Sequence, residues 1–191
     1  MTTTSPRLVN WENGTDLVIE LPLAVDLSTV WAKLVDSETA GAWFAPFTVS
    51  DPAGESTDDS EDANSAISFD LGETTLNGEV LSFEPEDHIL VEFDDFGVLG
   101  IQLLRLELTD GEATLLVFTQ SAPDDESARL KAADFGPMWD THLRLFARVL
   151  GLDVPEATEP ELLTIYADLD LEHSETGADM AAEGSLGGGA V

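Results

Sequence analysis

Few side chains here can do chemistry. Three histidines, His88, His142 and His173, are the only groups whose ordinary pKa lies near neutrality, and there is no cysteine. No two histidines stand four residues apart, so the paired-histidine helix of a zinc hydrolase is absent, and a zinc ion would need carboxylates from distant segments. Without cysteine, disulfides, thiolate metal sites and thiol nucleophiles are excluded. Neither a GxSxG elbow, a phosphate loop nor a dinucleotide fingerprint occurs. Asp and Glu number 39, too many for any one pair to single itself out. The expectation is no catalytic residue, no metal and no cofactor.

His142 stands apart from the other two. In a helix predicted over 137–150, Phe135, Met138, Trp139, His142, Leu143, Phe146, Val149 and Leu150 gather on one side, with Asp140, Arg144 and Arg148 largely on the other. A polar ring in an apolar face needs a partner or a wet cavity. Two readings are open: recognition of a ligand or a proton transfer there, or a histidine hydrogen-bonded within the core or at its rim. The large apolar side chains Trp31, Trp43, Phe44, Phe69, Phe83, Phe93, Phe118, Met138, Trp139 and Phe146 pose the same choice between core and cavity wall. With His142 they are the candidate ligand-binding set.

The elements that position these residues follow from periodicity. Residues 15–23 alternate imperfectly and are rich in Val, Ile and Leu, predicting a strand whose end Pro22 places at a sheet edge or just outside it. Asp26 or Ser28 can cap a short helix in which Leu27, Val30, Trp31 and Leu34 share a face, and a second short helix is predicted over 38–43, ended by Pro46. Strand signals recur at Ile67–Leu71, Val80–Phe83 and Ile89–Phe93, with Pro85-Glu86-Asp87 as a turn. Between Gly100 and Leu108 the apolar parity shifts at Leu103 and Leu104, predicting a bulge or cover on both faces. Asp110-Gly111 predicts a hairpin back into 115–119. Gly136-Pro137 reads as the start of the final helix and Gly151 as its stop.

Composition divides the chain. Residues 1–14 read as an N-terminal extension, 15–151 as one domain, and 152–191 as an acidic extension with a helix over 159–171 and disorder after about 172. Residues 51–64 hold six acids and no base, predicting an exposed acidic loop; the calcium-loop pattern fails there, with Ala53 at the third position and Ser56 at the sixth. Net charge is −32, which disfavours nucleic acid and anionic membrane surfaces. It leaves either a solvated acidic surface or attraction to a basic protein partner. No apolar run reaches membrane-span length and no signal peptide is visible, so the expected address is cytoplasmic, as a monomer or homodimer.

Val30-Trp31-Ala32-Lys33-Leu34-Val35-Asp36, Ala42-Trp43-Phe44-Ala45-Pro46, Gly78-Glu79-Val80 leading to Pro85, and Gly136 with Trp139 and Leu143 together resemble the START-like (SRPBCC) superfamily. Within it they look most like bacterial homologues of the C-terminal domain of the activator of the ninety-kilodalton heat-shock protein's ATPase. The resemblance spans residues from about 15 to 150. It implies an α+β helix-grip fold: a curved antiparallel sheet of about six or seven strands around a long C-terminal helix, two short helices after the first strand, and a cavity between sheet and helix. The function it implies is binding of a small hydrophobic or amphipathic ligand; a co-chaperone-like, stress-response interaction module and a cyclase or hydrolase are the alternatives, since fold does not settle function. The acidic insertion, His142 and the tail after Gly151 depart from the family pattern.

Overall fold

The structure, a computed structural model, describes residues 2–50, 65–108 and 111–173. The acidic loop, Asp110 of the predicted hairpin turn and the terminus from residue 174 lie outside the described residues. Among the described residues the fold is α+β: a mixed nine-stranded sheet and four helices.

In chain order the elements are β1 (Ser5–Trp11), β2 (Gly14–Leu23), α1 (Leu27–Leu34), α2 (Ser37–Trp43), β3 (Phe47–Ser50), β4 (Ala66–Asp70), β5 (Thr75–Glu84), β6 (His88–Phe93), β7 (Gly97–Leu108), β8 (Gly111–Ala122), α3 (Asp125–Val149), α4 (Glu159–Ala167) and β9 (Leu171–His173). The sheet order is β3-β4-β5-β6-β7-β8-β2-β1-β9, antiparallel throughout except for β9 beside β1. Nine strands therefore replace the expected six or seven. The segment before residue 15, read as an extension, supplies β1, paired with β2 over its whole length. Its Pro6 and Arg7 weaken any local strand signal, and only pairing reveals it.

Cross-strand rows build the core face. Ile19, Phe118, Ile101, Ile89 and Phe83 stand side by side on five successive strands, and Leu17, Gln120, Leu99 and Val91 form the next row. A register shift in β5 between Val80 and Ser82 puts an extra residue at Leu81. That bulge lets Val80 and Phe83, an odd number apart, meet core-facing residues of β6. Neither the bulge nor the two-sided cover expected at Leu103 and Leu104 is present: pairing with β8 is continuous, Leu103 is buried and Leu104 is 40% exposed. The parity break there is an apolar residue on the outer face.

The long helix differs most from expectation. It begins at Asp125, where Asp124 accepts from the Ser127 N–H at 2.8 Å, and it runs through Gly136-Pro137 without ending. Proline in a helix interior removes one hydrogen bond. Burial of Ala128, Ala132 and Gly136, a small-residue row at four-residue spacing, outweighs that loss. Asn10 Nδ2 and Thr15 Oγ1 both donate to Asp125, tying the first hairpin to the start of the helix.

The helix is also covered on two sides. Asp140, assigned to its polar side, is 1% exposed. Its carboxylate accepts from Thr4 Oγ1 at 2.7 Å, from the Tyr166 hydroxyl at 2.8 Å and from Arg144 Nε. Arg144 also donates to the Pro155 carbonyl at 2.9 Å. This cluster joins α3, the chain before β1, and α4, whose Leu162 and Tyr166 are buried. Burial, and then the adjacent Asp140 carboxylate, push the Tyr166 phenol well above its ordinary range. The predicted helix 159–171 is thus α4 followed by β9, with Leu8 N–H donating to the Asp170 carbonyl at 3.0 Å and Arg7 bridging Glu20 and Glu172.

Candidate functional site

Between the sheet, α2 and α3 lies a cavity of about 480 Å³. α1 contributes Leu34 at one end, followed by Val35; α2 contributes Ala40 and Trp43; and Phe44 and Phe47 follow from the turn into β3. The strands supply Val49, Ile67, Phe69, Leu76, Phe83, Ile89, Val91, Phe93, Leu99, Ile101 and Phe118, and α3 supplies Trp139, His142 and Leu143. Val49 and Phe83, each 52% exposed, mark where this wall meets solvent. No Asp, Glu, Lys or Arg lines it among the described residues.

Local sequence explains why α2 stands here. Asp36 accepts from the Thr39 N–H at 3.2 Å, and the Ser37 hydroxyl both donates to the Phe47 carbonyl and accepts from its N–H. The Thr39 hydroxyl, which also donates to this carboxylate, and then the N–H hold the exposed Asp36 carboxyl below its ordinary range. That clasp folds the chain back over the sheet and swings Trp43 and Phe44 toward α3. Phe44 then sits between Phe69 and His142, ring centroids 5.1 Å from each, while Trp43 lies 5.0 Å from Phe146.

Polar groups on the wall are few, and most are engaged. His142 Nδ1 is 2.6 Å from the Trp43 carbonyl. A carbonyl only accepts, so Nδ1 carries the hydrogen and Nε2 is the ring's remaining polar atom. Trp139 Nε1 donates to Gln120 Oε1 at 3.2 Å, and Gln120 Nε2 donates to the Phe96 carbonyl at 3.0 Å. Gln120, 1% exposed in an otherwise apolar row, was missed; its inward parity with Phe118 and Leu116 is the signal that could have found it. Trp43 Nε1 is buried and has no hydrogen-bond partner among the described residues.

Of the candidate set, Trp43, Phe44, Phe69, Phe83, Phe93, Phe118, Trp139 and His142 line the cavity. Trp31, Met138 and Phe146 do not. Trp31 packs behind Phe83 at 5.4 Å, Phe146 is fully buried behind Trp43, and Met138 is a half-buried part of the surrounding core. The helical face that seemed continuous is divided: its middle meets the cavity and its flanks fill core. The strand aliphatics Ile67, Ile89, Val91, Leu99 and Ile101 were not singled out, since alternation marks an inward residue without saying whether it meets a neighbour or a space.

The other two histidines lie elsewhere. His88 Nδ1 donates to Asp87 Oδ2 at 2.5 Å and its Nε2 lies 2.7 Å from Ser82 Oγ. Ser82 alternates with Phe83, so this trio occupies the outer face of the β5–β6 hairpin, away from the cavity. His173 is exposed on β9.

No protein-family model and no curated protein match the chain. Solved structures do. A conserved protein of unknown function from Enterococcus faecalis, EF2215, superposes with a TM-score of 0.58 at 20% identity, over 85% of this chain and 87% of that one. CalU16 from Micromonospora echinospora, in its solution structure, gives 0.54 at 15% identity over 84% and 81%. SSP2350 from Staphylococcus saprophyticus gives 0.52 at 16% identity over 74% and 97%. At these identities the likeness shows a shared fold and nothing finer. No described helix is long and apolar enough to cross a membrane.

Proposed function

We propose that this protein is a START-like, helix-grip domain that binds a small hydrophobic or amphipathic ligand in its central cavity without transforming it. The observation that carries the reading is the cavity itself, about 480 Å³ with an almost wholly apolar wall. Its volume falls within the roughly 300 to 1,000 Å³ usual for small-molecule sites. A close-packed interior leaves few voids larger than a water molecule, so a space of this size is not ordinary core packing. Affinity would come from removing apolar ligand surface from water, at about 25 cal/mol per Å². His142 would orient the ligand, its ring held by the Trp43 carbonyl.

Solvent extraction of the purified full-length protein followed by mass spectrometry, with titration of the neutral dye Nile red, tests the reading. A co-purifying apolar molecule or saturable one-to-one dye binding supports it. Neither an extractable species nor saturable binding would overturn it. His142→Leu is expected to fold and to change ligand affinity or selectivity; loss of folding would instead assign His142 a structural role.

A further inference from the structure

We infer that the ligand of this cavity carries a hydroxyl group, phenolic in character, that donates a hydrogen bond to His142 Nε2. The inference rests on the cavity-binding reading and adds to it a recognition atom and the chemical group that atom selects.

Two observations carry it. The first is a ring held in one tautomer and one orientation. His142 Nδ1 is 2.6 Å from the Trp43 carbonyl, which only accepts, so Nδ1 carries the hydrogen and Nε2 of the neutral ring is an acceptor. That carbonyl belongs to the last residue of α2, a helix whose first residue, Ser37, is clasped to Phe47. Phe44 packs against the imidazole edge to face at 5.1 Å, and Trp139 lies 6.4 Å away. With Nδ1 aimed at α2, Nε2 across the ring is aimed away from it.

The second observation is that Nε2 is the one open nitrogen among the side chains of the described wall. His142, Trp43 and Trp139 bring the side-chain nitrogens there. His142 Nδ1 is taken by the Trp43 carbonyl, and Trp139 Nε1 donates to Gln120. Trp43 Nε1 is sealed within the protein, beyond reach of a water-sized molecule. Nε2 has no partner among the described residues and is not sealed in that way, so a molecule in the cavity can meet it. A ligand that displaced water from this acceptor without supplying a hydrogen would leave it unpaired, at a cost larger than an ordinary hydrogen bond contributes. Ethers, ketones and esters have no hydrogen to supply. A carboxylate has none either, and no Lys or Arg of the described lining would compensate its charge. A phenol is a stronger donor than an alkyl alcohol, and its flat ring suits the aromatic surface that Phe44 and Trp139 present beside His142.

Three ligands of one shape separate the possibilities: 2-naphthol, 2-methoxynaphthalene and 2-naphthoate. Each is measured by equilibrium dialysis against the full-length protein at pH 8, above the ordinary imidazole range and below that of a phenol. Naphthoate is expected to bind weakest to the wild type. In His142→Phe the ratio of naphthol to methoxynaphthalene affinity is expected to fall by roughly tenfold, with methoxynaphthalene affinity nearly unchanged. An unchanged ratio, or naphthoate binding as tightly as naphthol, overturns the inference and leaves the cavity reading intact. Failure of all three to bind overturns the cavity reading and this inference with it. Should His142→Phe not fold, a His88→Gln, His173→Gln protein, in which His142 is the one histidine left, still decides. Its Nε2 nitrogen resonance must move upfield with naphthol and not with methoxynaphthalene; no such movement refutes the proposed acceptor.

Discussion

Replacing Gly136 with Ala should destabilise the protein, although helix propensity alone says the reverse. In the middle of an exposed helix, Gly→Ala is worth about 1 kcal/mol of stabilisation. Gly136 lies in the middle of α3, but a Cβ built there would stand 2.1 Å from Tyr166 Cδ1 and 2.6 Å from Cε1. No real Cβ contact is that short. The obstacle is a rigid ring, 2% exposed and hydrogen-bonded through its hydroxyl to Asp140, so it cannot swing aside cheaply. Overpacking of this kind costs about 1 to 3 kcal/mol, and a clash with a fixed ring belongs at the upper end. The propensity gain is itself reduced, because any Cβ-bearing residue before Pro137 resists helical backbone. The net expectation is a loss of about 2 kcal/mol, or roughly 4 to 8 °C in Tm for a chain of this size. Thermal unfolding followed by far-ultraviolet circular dichroism measures it. The decisive comparison uses a Tyr166→Ala background, where the obstacle is gone and Gly136→Ala should become neutral or stabilising. A wild-type background in which Gly136→Ala raises Tm would refute the claim that α4 packs onto this glycine.

Three further outcomes follow from the same cluster and from the charge. Asp140→Ala removes the acceptor for Thr4, Tyr166 and Arg144 at a site 1% exposed, and should cost about 3 to 5 kcal/mol in urea unfolding, as breaking one side of a buried ion pair does. The raised Tyr166 pKa sets an alkaline limit: the phenol holds its proton more tightly folded than unfolded, so its contribution is complete below about pH 10, the unfolded value, and is lost as pH rises above it. Tyr166→Phe, though less stable at neutral pH, should lose less stability between pH 9 and 11; equal slopes would argue against a buried phenol. Salt tests the acidic surface: with 39 acids against 7 bases, Tm should rise with potassium chloride as self-repulsion is screened, whereas cavity binding should be nearly salt-insensitive. A basic protein partner, if one docks on this surface, would instead dissociate steeply with salt, and salt-independent capture would count against it.

Legibility in the sequence tracked how local the deciding interaction is. Asp26 caps α1 through the Thr29 N–H three residues on, and Leu27, Val30, Trp31 and Leu34 bury one face, all readable from spacing within one helix. Alternation likewise marked Ile67 and Phe69 of β4 and Ile89, Val91 and Phe93 of β6. By contrast β3 and β9 are short segments that become strands because a neighbour supplies their hydrogen bonds. Gly136-Pro137 has the local signature of a helix start; only contacts of Ala128, Ala132 and Gly136 elsewhere in the fold carry α3 through it.

For the site, the sequence by itself determined its materials: three histidines, no cysteine, and aromatic side chains in segments far apart along the chain, enough to turn expectation away from catalysis and toward an apolar space. Tertiary structure decided which of those side chains meet the space. Trp43 and Phe146 touch, yet only Trp43 lines the cavity; Trp139 and Trp43 are both indoles on its wall, yet only Trp43 keeps a buried, unpartnered N–H among the described residues. Burial and hydrogen-bond satisfaction depend on residues brought together from far along the chain, whereas periodicity reports only which way a side chain faces.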